Sequence, residues 1–99
     1  MKVRILDRAE DDLVDGFWFY EDQQSGLGRY FLDQLYADIG LLDQFGGIHR
    51  VIFGGFQRRL SRKFPCAIYY KVDAEFVLVH AVLDCRMSPR RIRQTLLKR

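Results

Sequence analysis

The stretch from Phe56 to Asp84 constrains this chain more than any other. FVLVHAVLD (Phe76–Asp84) is almost continuously apolar, the pattern of a central strand. CAIYYKV (Cys66–Val72) precedes it as a second strand, and Asp73–Glu75 supplies the turn that makes the two a β-hairpin. Upstream, FQRRLSRKF (Phe56–Phe64) reads as a third strand. At period 2 its even positions carry Phe56, Arg58, Leu60, Arg62 and Phe64, and its odd positions carry only Gln57, Arg59, Ser61 and Lys63. The expectation is an apolar row facing a core and a cationic row facing outward.

The N-terminal half has the other period. KVRIL (Lys2–Leu6) reads as a short strand, and Asp7 opens DRAE, a D-x-x-E sequence in which Asp7 caps a helix running to about Gln23. Ala9, Leu13, Phe17 and Tyr20 form its buried stripe. QSGLG (Gln24–Gly28) is the turn of a helical hairpin, and a second helix from about Leu27 to Gln44 buries Leu32, Leu35, Ile39 and Leu42. Gly46–Gly55 reads as a loop carrying His49 and Arg50. Ser88-Pro89 starts a short C-terminal helix with Ile92, Leu96 and Leu97 inward. The order β-α-α-β-β-β predicts an α+β fold over residues 1–99 as a single domain, with the helical hairpin on one face of a small, twisted, mainly antiparallel sheet. The other face of the sheet is expected to stay open.

At 99 residues and 48% hydrophobic content the chain has the make-up of a globular domain. It has no apolar run of the roughly 20 residues that a membrane span needs. With no secretory leader legible, a cytoplasmic protein is expected, and its two cysteines, Cys66 and Cys85, as reduced thiols. Charge is segregated. Residues 1–50 hold five basic and ten acidic side chains, whereas residues 51–99 hold eleven and three. That asymmetry points the C-terminal half toward an anionic partner.

Metal binding is not supported, because His49, Cys66, His80 and Cys85 have no ligand spacing, and no cofactor motif is present. The basic cluster can do chemistry. Cleaving RNA by 2′-hydroxyl attack needs a base, an acid and cations around a charged phosphorane. Arg58, Arg59, Arg62, Lys63, Lys71 and Arg86 offer the cations, and His80, His49, Tyr69 or Tyr70 the proton transfer. A solvated strand face with inward tyrosines is the plain alternative. FWFY (Phe17–Tyr20) covers most of a helix circumference at about 100° per residue, so Trp18 or Phe19 must be exposed or covered by a partner.

Taken together, RAEDDLVDGFWFYEDQQSGLGRYFLDQL, RRLSRKFPCAIYYKV, VHAVLDCR and the basic tail resemble the RelE/ParE toxin superfamily of type II toxin–antitoxin and plasmid-stabilisation modules. The most specific pieces are FPCAIYYKV and the arginine after the last strand, Arg86. The resemblance implies the RelE/ParE-like fold and a cognate antitoxin, for which Trp18, Phe19, Tyr30 and Tyr36 offer surplus aromatic surface. It leaves open whether the assembly is a homodimer or a toxin–antitoxin hetero-oligomer. It also implies one of two targets, DNA gyrase or ribosome-bound mRNA. In the nuclease branch Arg58 and Arg86 match cationic positions, with His80 as a substitute proton carrier. Leu60, Ala67 and Ile92 stand where that branch has a lysine, an arginine and a tyrosine. The resemblance is therefore closer to the ParE-like branch, a binding toxin rather than an enzyme. Its target-binding surface would comprise Arg58, Arg59, Arg62, Lys63, Arg86, Arg90, Arg91 and Arg93.

Overall fold

The computed structural model describes residues 1–45 and 49–99. The elements are β1 (Lys2–Ile5), α1 (Asp7–Glu21), α2 (Leu27–Gly40), a single turn α3 (Leu42–Phe45), β2 (Val51–Phe53), β3 (Phe56–Leu60), β4 (Cys66–Asp73), β5 (Phe76–Asp84) and α4 (Pro89–Leu97). The five strands make one sheet in the order β1-β5-β4-β3-β2. β1 runs parallel to β5, and every other pairing is antiparallel.

The expected hairpin of helices is present. Its turn depends on Gly26, whose φ of 90° lies in the left-handed region that glycine enters freely. The Glu21 carboxylate accepts the N–H groups of Gly26 and Gly28, both at 3.0 Å, and so satisfies free donors at the start of α2. Gly28 lets the helices approach closely: a Cβ there would sit 2.7 Å from the Phe17 carbonyl oxygen. Asp7 does not act as the cap. It lies inside α1, whose N-cap is Leu6 with no side-chain hydrogen bond. At the C-terminal helix the expectation holds, with Ser88 Oγ accepting the Arg91 N–H at 3.2 Å and Pro89 in the first turn.

Two corrections concern the sheet. Val51–Phe53, expected as loop, pairs with β3 across an irregular register and becomes an edge strand. The two faces of β3 are also reversed. Gln57 and Arg59 stand opposite Tyr70 and Ile68, whose side chains belong to the core under the helical hairpin with Leu13, Phe31 and Leu35. Phe56 and Arg58 are on the other face, where Phe56 packs with Ala67, Tyr69, Ala81 and Leu83. That face is not open. α4 lies on it, burying Leu96 and half-burying Ile92, while Leu97 points outward at 74% exposure. The sheet thus has a core on each side, which explains why consecutive residues Tyr69 and Tyr70 are both buried.

A register shift places Tyr69 opposite Ala81 and Tyr70 opposite Val79, so His80 is the extra residue of a bulge. Beyond it, Asp12 of α1 accepts the Val82 N–H at 2.9 Å. Arg99 holds the same carboxylate through two bonds, at 2.8 and 3.0 Å, and donates to the His80 carbonyl at 2.9 Å. The last residue of the chain therefore joins α4, β5 and α1.

Candidate functional site

A cleft between α4 and the outer part of the sheet brings cationic and apolar groups together. Its volume is about 430 Å³, and its lining is Ile52, Phe53, Arg58, Tyr69, Cys85, Met87, Pro89, Ile92, Arg93 and Leu96. β3 supplies Arg58, whose partner across the strands is Tyr69. α4 supplies Arg93, whose guanidinium carbon lies 5.6 Å from the centre of the Phe53 ring, within cation–π range. The turn after β5 supplies Cys85 and Met87. Two arginines thus flank an apolar floor that carries no carboxylate.

Ionisation in the cleft follows from burial. Desolvation pushes the Tyr69 hydroxyl up, and its hydrogen bond with Arg58 pulls in the opposite direction. Burial also raises the Cys85 thiol, helped by Asp84 and opposed by Arg58 and Arg86. Neither lining group that can release a proton is poised near neutral pH. The cleft can hold an anion and an apolar group together, and it lacks a general base.

The expected site residues separate into distinct environments. Arg58 and Arg93 share the cleft. Arg86 lies beside it, engaged with the Asp84 carboxylate through Nε at 2.9 Å and Nη2 at 2.6 Å, and holds that carboxyl below its usual range. Arg59 is on the opposite face, half-buried, with its Nε lacking a hydrogen-bond partner among the described residues. Arg62 is tied to the wholly buried Asp38 at 2.7 Å, an ion pair that Ser61 Oγ supports at 2.8 Å. Lys63, Arg90 and Arg91 are exposed, and Arg91 lines a polar groove between α4 and α1.

His80 does not join the arginines of the cleft. Its ring meets Phe56 edge-on at 5.2 Å, and both ring nitrogens are buried without a hydrogen-bond partner among the described residues. Lys71 sits over the Phe56 ring, its Nζ 4.4 Å from the centroid. Burial, then Lys71, lowers the His80 pKa. His49 hydrogen-bonds the Tyr70 hydroxyl, and its carbonyl accepts Gln57 Nε2. Burial, then Arg59, lowers the His49 pKa, and burial pushes Tyr70 up to about 12.

The four aromatics of the hairpin are exposed but do not form one patch. Trp18 (57% exposed) shares the outer face of α1 with Val14. Phe19 (54% exposed) borders a cleft with Tyr20, Tyr30 stacks toward Phe64 at 5.6 Å, and Tyr36 donates to Glu10 at 3.1 Å. Phe53, Met87 and Ile92, which form the floor beside the arginines, were not legible as site residues. Their signal in the sequence is only that of ordinary apolar positions next to a Gly-Gly turn and a proline-started helix.

No family model matches the chain, and no curated protein matches it. Among solved structures it is similar to one described as the chromosomal ParDE TA system from P. aeruginosa, with a TM-score of 0.79 and 11% identity. The match covers 85% of this chain and 95% of the other. The likeness is one of fold, and it includes most of this chain's helices and its open, mixed five-stranded sheet. Among the described residues, no helix is long and apolar enough to cross a membrane.

Proposed function

We propose that this chain is the toxin of a type II toxin–antitoxin module, neutralised by a cognate antitoxin, and that it acts by binding DNA gyrase rather than by cleaving RNA. The observation that carries the second part is the make-up of the cleft beside α4. Arg58 and Arg93 provide cationic anchors, and Phe53, Ile92 and Leu96 an apolar floor, with no proton-transfer group ionising near neutral pH. A nuclease needs such a group, since general acid–base catalysis contributes about 10²–10⁴-fold. A binding site needs only anchors and complementarity. The ParE-like fold supports the toxin assignment. The exposed aromatics Trp18, Phe19, Tyr30 and Tyr36 of the helical hairpin are separate contact points for the antitoxin.

Expression without the antitoxin tests the proposal. Growth should stop, DNA-damage signalling should rise, and purified protein should inhibit gyrase supercoiling. Arg58→Ala should weaken that inhibition by about 2 kcal/mol, or some thirtyfold, as for an interface arginine anchor. Codon-phased mRNA cuts that disappear in Arg86→Ala would make the protein a ribosome-dependent RNA endonuclease instead.

A further inference from the structure

The cleft beside α4 carries two marks of the ligand it fits. The first is its charge. Arg58 and Arg93 are both exposed, neither is in an ion pair among the described residues, and the described lining holds no carboxylate. Two other arginines of the expected target surface are engaged: Arg62 by Asp38 and Arg86 by Asp84. The cleft therefore offers two positive charges and not a track of them.

The second mark is its apolar surface. Ile52, Met87, Ile92 and Leu96 line it without an aromatic ring among them. Leu60, 56% exposed, extends that surface along the same face of β3 as Arg58. The two aromatic residues of the lining offer little to stack on. The Arg93 guanidinium lies over the Phe53 ring, and Tyr69 is 1% exposed. Single-stranded nucleic acid is held by a cationic groove that follows its backbone and by open aromatic faces that stack its bases. The cleft has neither. A volume of about 430 Å³ walled by aliphatic side chains instead suits a bulky apolar side chain with a carboxylate beside it.

We propose that the ligand of this cleft is a protein segment in which an aspartate or glutamate stands close to a leucine, isoleucine, methionine or phenylalanine. The two lie within about three residues of each other, a span of roughly 10 Å in an extended chain. The carboxylate pairs with Arg58 or Arg93, and the apolar side chain lies against Ile92 and Met87. Charge selects the segment: a lysine or arginine at the acidic position meets two unpaired cations. The inference rests on the reading of this cleft as a binding site, and it narrows what the site recognises to peptide rather than nucleic acid.

A displayed library of random heptapeptides tests it, selected on the full chain and counter-selected on the Arg58→Ala/Arg93→Ala double variant. Enriched sequences should share an acid beside a bulky apolar residue. The leading peptide, synthesised with a fluorescent label, should bind saturably, and about tenfold more weakly to Arg58→Ala or Arg93→Ala. Both arginines are exposed, so the thermal midpoint should not move with either change. Arg29→Ala, on α2 across the sheet, should bind as the parent does. Replacing the peptide's acid by its amide should cost a similar factor. The bound peptide should also shield the Cys85 thiol from iodoacetamide, because Cys85 lines the cleft. A selection that enriches nothing, or that enriches peptides indifferent to both arginines, would overturn the proposal. So would a hexauridylate RNA that binds saturably and displaces the peptide. Because no gyrase is present, such a failure removes the peptide ligand and leaves the gyrase reading intact, whereas absent inhibition of supercoiling removes only that reading.

Discussion

Arg99→Ala should destabilise the protein far more than any other single change in the basic tail. The Arg99 and Asp12 side chains are 12% and 14% exposed, and the pair is bidentate at 2.8 and 3.0 Å. Removing one member of a fully buried pair costs about 3–5 kcal/mol, largely because the other charge is stranded. Here the stranded carboxylate keeps the Val82 N–H and some solvent, which brings the expected loss to about 2 kcal/mol. For a domain of this size that is a drop in thermal midpoint of roughly 8–16 °C. Asp12→Ala should cost more, about 3 kcal/mol, because it also orphans the Val82 N–H at the sheet edge. Urea unfolding of the two single variants and the double variant gives the coupling directly, expected at 1–2 kcal/mol. The comparison set is Arg90→Ala, Arg91→Ala and Arg93→Ala, each expected within about 0.5 kcal/mol of the parent. An Arg99→Ala variant indistinguishable from those three would refute the clamp and return the whole tail to the role of a solvated surface.

His80 and His49 both have folded pKa values below the ordinary 6.5, so the unfolded chain takes up protons first as pH falls. Their contribution is complete above about pH 6.5 and declines below it. The thermal midpoint should fall between pH 7 and pH 5, and His49→Gln with His80→Gln should flatten that slope. A midpoint as pH-sensitive in the double variant as in the parent would show that other groups control it. Arg62→Ala leaves the buried Asp38 carboxylate with Ser61 and one backbone N–H, and should cost about 3 kcal/mol by urea unfolding; a neutral result would mean that the Arg62–Asp38 pair contributes nothing net to stability. Cys66 is in the core under the hairpin, with its thiol pushed up to about 12, whereas Cys85 lines the cleft on the other face. Mass spectrometry after iodoacetamide treatment should find one label on the native chain and two in urea, with no disulfide; a two-proton deficit without reductant would contradict the arrangement.

The helical hairpin, the β4–β5 pair and the capped C-terminal helix were legible because each carries a local signal: apolar spacing of three and four, a tight turn between apolar runs, a Ser-Pro start. β2 was not. Three residues between a glycine-rich loop and a Gly-Gly turn are too few to show a period, and they become a strand only because β3 offers an edge. The parallel pairing of β1 with β5 was equally hidden, since nothing in KVRIL names its partner. Asp12 is the sharpest case. In the sequence it belongs to an acidic first turn that suits the helix dipole. In the fold its carboxylate serves Val82 and Arg99, which lie 70 and 87 positions away.

The reversal of β3 follows from the same limit. Period 2 establishes which side chains of Phe56–Leu60 share a face, but not which face meets the helices. The row with the larger apolar residues was assigned to the hairpin because only one covering layer was expected. Once α4 supplies a second layer, Phe56 has a core of its own with Tyr69 and Leu83, and Gln57 can be buried on the hairpin side, where the His49 carbonyl accepts its amide. The cationic residues are then divided between two environments. Arg58 reaches the cleft beside α4, Arg59 lies under the other face, and Arg62 leaves the strand to neutralise Asp38. What reads as one basic strip of four cations in the sequence is therefore divided: Arg58 in the cleft, Arg59 half-buried on the other face, Arg62 paired with Asp38, and Lys63 exposed. The cleft beside α4 thus presents Arg58 and Arg93 over an apolar floor and not a continuous row of charge.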